Sequence, residues 1–179
     1  MDQPIASVFI ATSLDGFIAR PNGDLDWLPV PDGAGGEDYG YADFMATIDT
    51  LVMGRATYEK GLTFDTWPYA KRKVVVLTSR SLPAPPESVD VDTMGGDPRD
   101  IVRTLGERGA KGLYIDGGVT IQRFLDAGLI QRVIITTIPI LIGEGLPLFG
   151  RLSRDIRLEH VDTRHWPNGL VQSEYRVQP

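Results

Sequence analysis

Three short apolar runs in this chain end in the same chemistry, and that repetition narrows the folds open to it. Thr50-Leu51-Val52-Met53 leads into Gly54-Arg55-Ala56-Thr57, Lys73-Val74-Val75-Val76-Leu77 into Thr78-Ser79-Arg80, and Gly112-Leu113-Tyr114-Ile115 into Asp116-Gly117-Gly118-Val119-Thr120. Each run has the length and β-branched content of a buried strand. A glycine where a strand gives way to a helix lets backbone approach a ligand closely. The first-turn amides there are unpaired and lie at the positive end of the helix dipole. Hydroxyls add donors, and arginine adds a planar fork matched to two phosphate oxygens. One such corner reads equally well as a plain turn beside a solvated cation. Three together point to an α/β sheet that gathers an anionic ligand at the carboxyl ends of its strands.

The rest of the chain fits that class. Residues 5–12 predict a first buried strand, 13–16 a turn out of it, 17–19 an extended piece and 21–24 a second turn. The glycine-rich residues 33–36 predict a mobile loop. Tyr41, Phe44, Met45 and Ile48 fall at helical spacing, so residues 37–48 predict an amphipathic helix. Residues 83–86 read as a loop and 89–91 as a short strand. Residues 98–108 predict a helix with Asp97 as N-cap and Pro98 at its first position. A further helix is expected over 120–127, closed by Gly128. Residues 132–142 form an unusually apolar strand interrupted at Pro139, followed by a flexible turn at 143–145. Residues 156–163 and 170–177 alternate and suggest an antiparallel hairpin around Trp166-Pro167-Asn168-Gly169. The expected fold is α/β: a three-layer αβα sandwich on a mostly parallel mixed sheet with an antiparallel C-terminal hairpin.

Composition sets limits on function. A chain of 179 residues, 42% apolar and 23% charged, is expected to fold as a single domain, 1–179, with a real core. No run approaches the roughly 18 apolar residues of a membrane span, and no basic-then-apolar secretory leader opens the sequence. The absence of cysteine excludes disulfides and thiolate metal sites and fits a cytoplasmic location. A net charge of -6 argues against nucleic-acid or anionic-membrane partners. A dinucleotide needs only two or three local cations, so the overall acidity leaves one open.

The ordered phrases are recognisable. Residues 11–19 (Ala-Thr-Ser-Leu-Asp-Gly-Phe-Ile-Ala), 52–59 (Val-Met-Gly-Arg-Ala-Thr-Tyr-Glu), 75–80 (Val-Val-Leu-Thr-Ser-Arg), 114–118 (Tyr-Ile-Asp-Gly-Gly) and 139–149 span most of the chain. Together they resemble the dihydrofolate reductase-like superfamily, most closely the reductase domain of bacterial riboflavin-biosynthesis deaminase-reductases and its stand-alone relatives. The resemblance implies an NADPH-dependent reductase transferring hydride to a small planar heterocycle or carbonyl, similar to the reductase of 5-amino-6-(5-phosphoribosylamino)uracil. It implies that Gly54, Arg55, Thr57, Thr78, Ser79 and Arg80 hold the adenosine side of NADPH, including the 2′-phosphate. Gly117, Gly118, Val119 and Thr120 would lie by the pyrophosphate, and Ala11 and Ile18 by the nicotinamide. Trp27 and Tyr41 would meet the substrate, and a homodimer is implied as well. The apolar segment 133–142, richer than one sheet face needs, points the same way.

The chemical centre offers several carboxylates. Asp38, with Glu37 beside it, occupies the helix start where folate reductases place a substrate carboxylate. Acidic residues in a first helical turn also serve the helix dipole alone. Asp15 is the competing source, or simply a turn-former bonding its own backbone. Residues 24–36 do not reproduce a folate reductase, and only Arg20, Lys71 and Arg72 could serve a ribose-phosphate substrate. His160 and His165, five apart in a strand, should point to opposite faces and share no metal. Asp24 and Asp26 lack the remaining ligands of a calcium loop. A different class, a nucleotide-binding sensor or assembly module without turnover, keeps the same cofactor residues and differs on the acceptor side.

Overall fold

A computed structural model describes residues 3–29, 36–69, 72–87 and 89–178. Part of the expected mobile loop, residues 33–35, and Lys71 lie outside the described residues. The strands are β1 (Ile5–Ser13), β2 (Phe17–Ala19), β3 (Thr50–Gly54), β4 (Lys73–Leu77), β5 (Val91–Met94), β6 (Gly112–Asp116), β7 (Arg132–Ile138), β8 (Leu146–Pro147), β9 (Leu158–His165) and β10 (Val171–Val177). The helices are α1 (Tyr41–Ala46), α2 (Arg55–Gly61), α3 (Pro98–Glu107) and α4 (Gly118–Asp126). Among the described residues no helix is long and apolar enough to cross a membrane.

Eight strands form one sheet in the order β5-β4-β3-β6-β1-β7-β10-β9. The first six run parallel, and β10 and β9 add the antiparallel end. Parallel central strands are covered on both faces, which is why their sequences are apolar without alternation. On one face Phe44, Met45 and Ile48 of the α1 region and Tyr58 of α2 pack on Leu51, Met53, Val74, Val76 and Tyr114. On the other, Ile101, Val102 and Leu105 of α3 and Ile121, Phe124 and Leu125 of α4 pack on Val8, Val52, Val75, Leu113 and Ile115. Strands β2 and β8 make a separate two-stranded ladder.

Several expectations need correction. The helix expected over residues 37–48 is confined to Tyr41–Ala46, because Tyr39 (φ 55°) and Gly40 (φ 82°) take left-handed conformations. The strand expected at 89–91 is instead Val91–Met94, since the Val89 amide is spent on the Pro86 carbonyl in a turn. Strand β7 stops at Ile138, before the proline that has no amide to offer a ladder. It lies between β1 and β10, so its apolar character is used inside the protomer and is no longer an argument for a dimer surface. The two histidines do not diverge either. The β9–β10 register slips at Glu174/Tyr175, skipping Val161. His160 Nε2 thereby reaches Thr163 Oγ1 at 2.7 Å, on the face that Thr163 shares with His165.

Entry into β6 is the tightest backbone crossing on the way to the site. Asp49 accepts from the Lys111 and Gly112 amides at 2.7 and 3.0 Å, and a Cβ on Gly112 would collide with the Thr47 carbonyl. Gly112→Ala should therefore cost about 1–3 kcal/mol, the range for overpacking a closed interior. Urea unfolding measures it; an unchanged midpoint would mean that the Thr47 backbone yields freely.

Candidate active site

Strand order puts the glycine and hydroxyl corners in one row. The carboxyl ends of β1, β6, β3, β4 and β5 are consecutive along one sheet edge. At about 4.8 Å per strand they span about 19 Å, a long shallow line suited to an extended ligand.

The β3–α2 and β6–α4 corners interlock at its middle. A Cβ on Gly54 would lie 3.1 Å from Thr120 Oγ1, and one on Gly117 would run into Thr57 Oγ1. Each threonine thus sits over the other corner's glycine. Gly117 has φ 92° and Gly118 begins α4 with Ile18 Cδ1 and the Pro147 carbonyl near its α-carbon. The need for glycine at these positions is therefore met within the protein, and the close approach sets two helix starts side by side. Val119, the next residue, is 73% exposed. Arg55 lies in the same corner with its Nε on Glu59 at 2.7 Å and its Nη1 on the Ser81 carbonyl at 2.9 Å.

Farther along, the ends of β4 and β5 bound a cavity of about 230 Å³ lined by Leu77, Thr78, Ser79, Gly95, Gly96, Ile101 and Arg123. Thr78 Oγ1 accepts from the Arg80 amide at 3.1 Å, and Ser79 and Arg80 are exposed. Gly95, Gly96 and Arg123 were missed by the sequence reading. The signal was present, because Met94-Gly95-Gly96-Asp97 repeats the strand-end, double-glycine, helix-start pattern of residues 116–118.

At the other end of the row, Trp27 is buried among Ala11, Ile138, Ile140, Ile142 and Leu170. Its indole Nε1 is buried without a hydrogen-bond partner. A buried donor left unpaired is costly, which sets this indole beside Ala11 apart from an ordinary core side chain.

The face carrying α1 holds a buried carboxyl that the sequence reading did not single out. Asp116, at the end of β6, is 9% exposed and is surrounded by tyrosines. Tyr69 donates its hydroxyl to Asp116 Oδ2 at 2.6 Å, and the Gly117 amide donates to Oδ1 at 2.8 Å. Burial pushes the Asp116 carboxyl above the ordinary carboxylate range, outweighing those two hydrogen bonds. Tyr114 and Tyr41 complete the cluster, their phenols pushed up by burial and by the charge of Asp116. Tyr41 packs edge-on to Phe9 and donates to the Pro68 carbonyl at 3.2 Å. Trp67 stacks edge-on against Tyr69 with its own Nε1 buried and unpartnered.

The carboxylates singled out from the sequence sit elsewhere and do other work. Asp38 accepts from the Gly40 and Ala42 amides at 2.9 and 2.8 Å, and these bonds hold its pKa below the usual value. Glu37 accepts from the Tyr39 amide at 3.0 Å. Asp15 ties down the loop after β7 through the Gly143 and Ile142 amides at 2.8 and 3.3 Å. Its pKa is lowered, chiefly by the Ser13 hydroxyl. Asp24 is paired with Lys60 and Asp26 with Arg20.

Comparison with known proteins agrees with this architecture. Residues 4–172 match the family described as the RibD C-terminal domain. The uncharacterised Bacillus subtilis protein YwjB is 35% identical, the match covering 94% of this chain and 95% of YwjB. The crystal structure of a chain from Shewanella sp. PV-4 assigned to riboflavin biosynthesis superposes with a TM-score of 0.87. It is 40% identical, over 98% of this chain and 99% of the other. Dihydrofolate reductase from Enterococcus faecalis, solved with NADP(H), shares the fold at a TM-score of 0.63 and 21% identity, over 98% and 95% of the two chains. The chain is a member of the RibD C-terminal domain family, on a dihydrofolate reductase-like fold.

Proposed function

We propose that this chain is an NADPH-dependent reductase of a small planar heterocycle or carbonyl, of the riboflavin-precursor type. The observation that carries the reading is the pair of interlocked glycine corners lying one residue from a buried carboxyl that Tyr69 and the Gly117 amide hold in place and whose pKa burial raises. Family membership and the NADP(H)-bound neighbour support it from outside. NADPH, when bound, supplies the hydride.

The chain's residues divide the remaining work. Gly54, Thr57, Gly117, Gly118 and Thr120 offer amides and hydroxyls to the pyrophosphate; Val119 borders it. Thr78, Ser79 and Arg80 serve the adenosine side, with Arg55 positioned behind them. Ala11, Ile18 and Trp27 line the nicotinamide end. Phe9 and Tyr41 wall the acceptor. Asp116 is our choice for the proton source in place of Asp38, Glu37 and Asp15. Those three are spent on backbone amides, whereas a buried carboxyl whose pKa is raised is better placed to give a proton to the nitrogen or oxygen of the reduced bond. Tyr69, hydrogen-bonded to it, orients the group. Solvent then restores the proton. The cysteine-free composition fits a cytoplasmic enzyme.

Loss of NADPH absorbance against a panel of pterins, pyrimidinediones and quinones tests the reading. Tight NADPH binding with no acceptor consumed would favour the sensor or assembly module instead. Asp116 must be protonated to act, so turnover should be full below its raised pKa and fall as pH rises through it. Asp116→Asn should remove that alkaline limb and lower kcat by about 10²–10⁴-fold, with NADPH affinity nearly unchanged. An unaltered pH profile would show that water supplies the proton.

We also propose a homodimer built on the C-terminal hairpin. All eight residues of β9 are exposed, and Leu158, Val161 and Val171 put apolar side chains on that surface. An edge strand left so open is a pairing hazard unless a second copy covers it. Sedimentation equilibrium should give twice the chain mass, and Leu158→Lys should shift it toward the monomer. A wild-type monomer at micromolar concentration would exclude the dimer.

A further inference from the structure

Among the described residues Tyr39 is the one residue other than glycine with a positive φ, at 55°. A tyrosine keeps that left-handed conformation only where its surroundings hold it there. Three of the groups that hold it come from the C-terminal hairpin. Gln172 Nε2 donates to the Tyr39 carbonyl at 2.9 Å, and Asn168 Nδ2 donates to the Tyr39 hydroxyl at 2.9 Å. The Trp166 ring meets the Tyr39 ring edge-on, with centroids 5.0 Å apart. The Glu37 carboxylate accepts from the Tyr39 amide at 3.0 Å.

Gln172 lies on β10 and is 7% exposed. The same Nε2 also donates to the buried Thr136 Oγ1 at 2.9 Å, on the residue paired with it across β7. Both donors of a buried amide are thus spent, one on the sheet and one on the chain just ahead of α1. An apolar side chain at this position would avoid the desolvation of that amide. What the amide supplies instead is a fixed link between the sheet and the start of α1. The first residue of α1 is Tyr41, whose ring packs edge-on to Phe9 with centroids 5.6 Å apart. Phe9 and Tyr41 are the walls given above to the acceptor.

We infer that Gln172 and Asn168 are positioning residues for the acceptor. By holding Tyr39, the hairpin sets where Tyr41 stands over Phe9, and so how closely a planar acceptor fits between α1 and the sheet. The inference rests on the reductase reading above and deepens it. In the sheet, β1 and β7 separate β10 from β6, and β3 lies farther still. The glycine corners that begin α2 and α4 follow β3 and β6, so the effect of the hairpin falls on the acceptor and not on NADPH.

The test pairs kinetics with amide hydrogen exchange on the purified chain and two variants, Gln172→Leu and Asn168→Ala. With NADPH saturating and 5-amino-6-(5-phosphoribosylamino)uracil as acceptor, both should raise the acceptor KM, Gln172→Leu by about tenfold. Turnover at saturation and NADPH affinity should stay nearly unchanged in both. Asn168 lies in an exposed turn, so its variant reports even where Gln172→Leu does not fold. With no ligand present, both variants should lose exchange protection in Tyr41–Ala46 while β3 and β6 keep theirs. A wild-type acceptor KM in the variants, or NADPH weakened by the same factor as the acceptor, would overturn the positioning role. Unchanged protection of α1 would overturn it as well. A wild type that leaves this acceptor unreduced would remove the reductase reading for it, and the exchange result alone would then decide whether the hairpin holds α1.

Discussion

Two threonines resting on two glycines set the geometry of everything else at the sheet edge. Thr120 covers Gly54 and Thr57 covers Gly117, so α2 and α4 begin at nearly the same point in space although their strands differ. A side chain at either glycine would separate them. Because they stay together, the unpaired first-turn amides of two helices and two hydroxyls converge on one spot. Such a convergence is suited to an anion, is made almost wholly from backbone, and would need few cations. It explains how a chain of net charge -6 can be suited to a polyanionic cofactor.

Strand order extends this point into a line. Placing β6 between β1 and β3, with β4 and β5 beyond, turns corners far apart in sequence into neighbours. The corners themselves were legible from residues, because glycine, hydroxyl and arginine at a strand end have a local reason to be there. Their order in space was not, because register and crossover are decided by which apolar faces pack together. The β5 corner shows the limit most clearly. Its strand begins two residues later than composition suggests, since Val91 must pair with Val74, and its double glycine went unread as a result.

The carboxylates teach a related lesson. Asp38, Glu37 and Asp15 sit in positions where a family resemblance or a turn makes them conspicuous, yet each finds backbone amides within its own loop or the one beside it. Satisfying those amides is a local task, visible in sequence only as the alternative to catalysis. Asp116 is conspicuous for the opposite reason, and only in three dimensions. Its environment comes from Tyr41 on α1, Tyr69 after α2 and Tyr114 on its own strand. No spacing rule joins residues 41, 69, 114 and 116.

Burial of Asp116 also couples the two halves of the site. Its Oδ1 receives the Gly117 amide, the first residue of the double-glycine turn. On the reductase reading, a dinucleotide seated on Gly117 and Gly118 would bring negative charge within a residue of a carboxyl whose pKa burial already raises. Like charges at that distance favour the neutral acid further. On the proposed reading, the anion that delivers hydride would therefore also raise the affinity of the neighbouring carboxyl for the proton that must accompany it. A carboxylate on the exposed α1 turn, anchored by the Ala42 and Gly40 amides and lowered in pKa, would respond in neither respect. The same interlocked corner thus joins the two helix starts to the buried acid beside them.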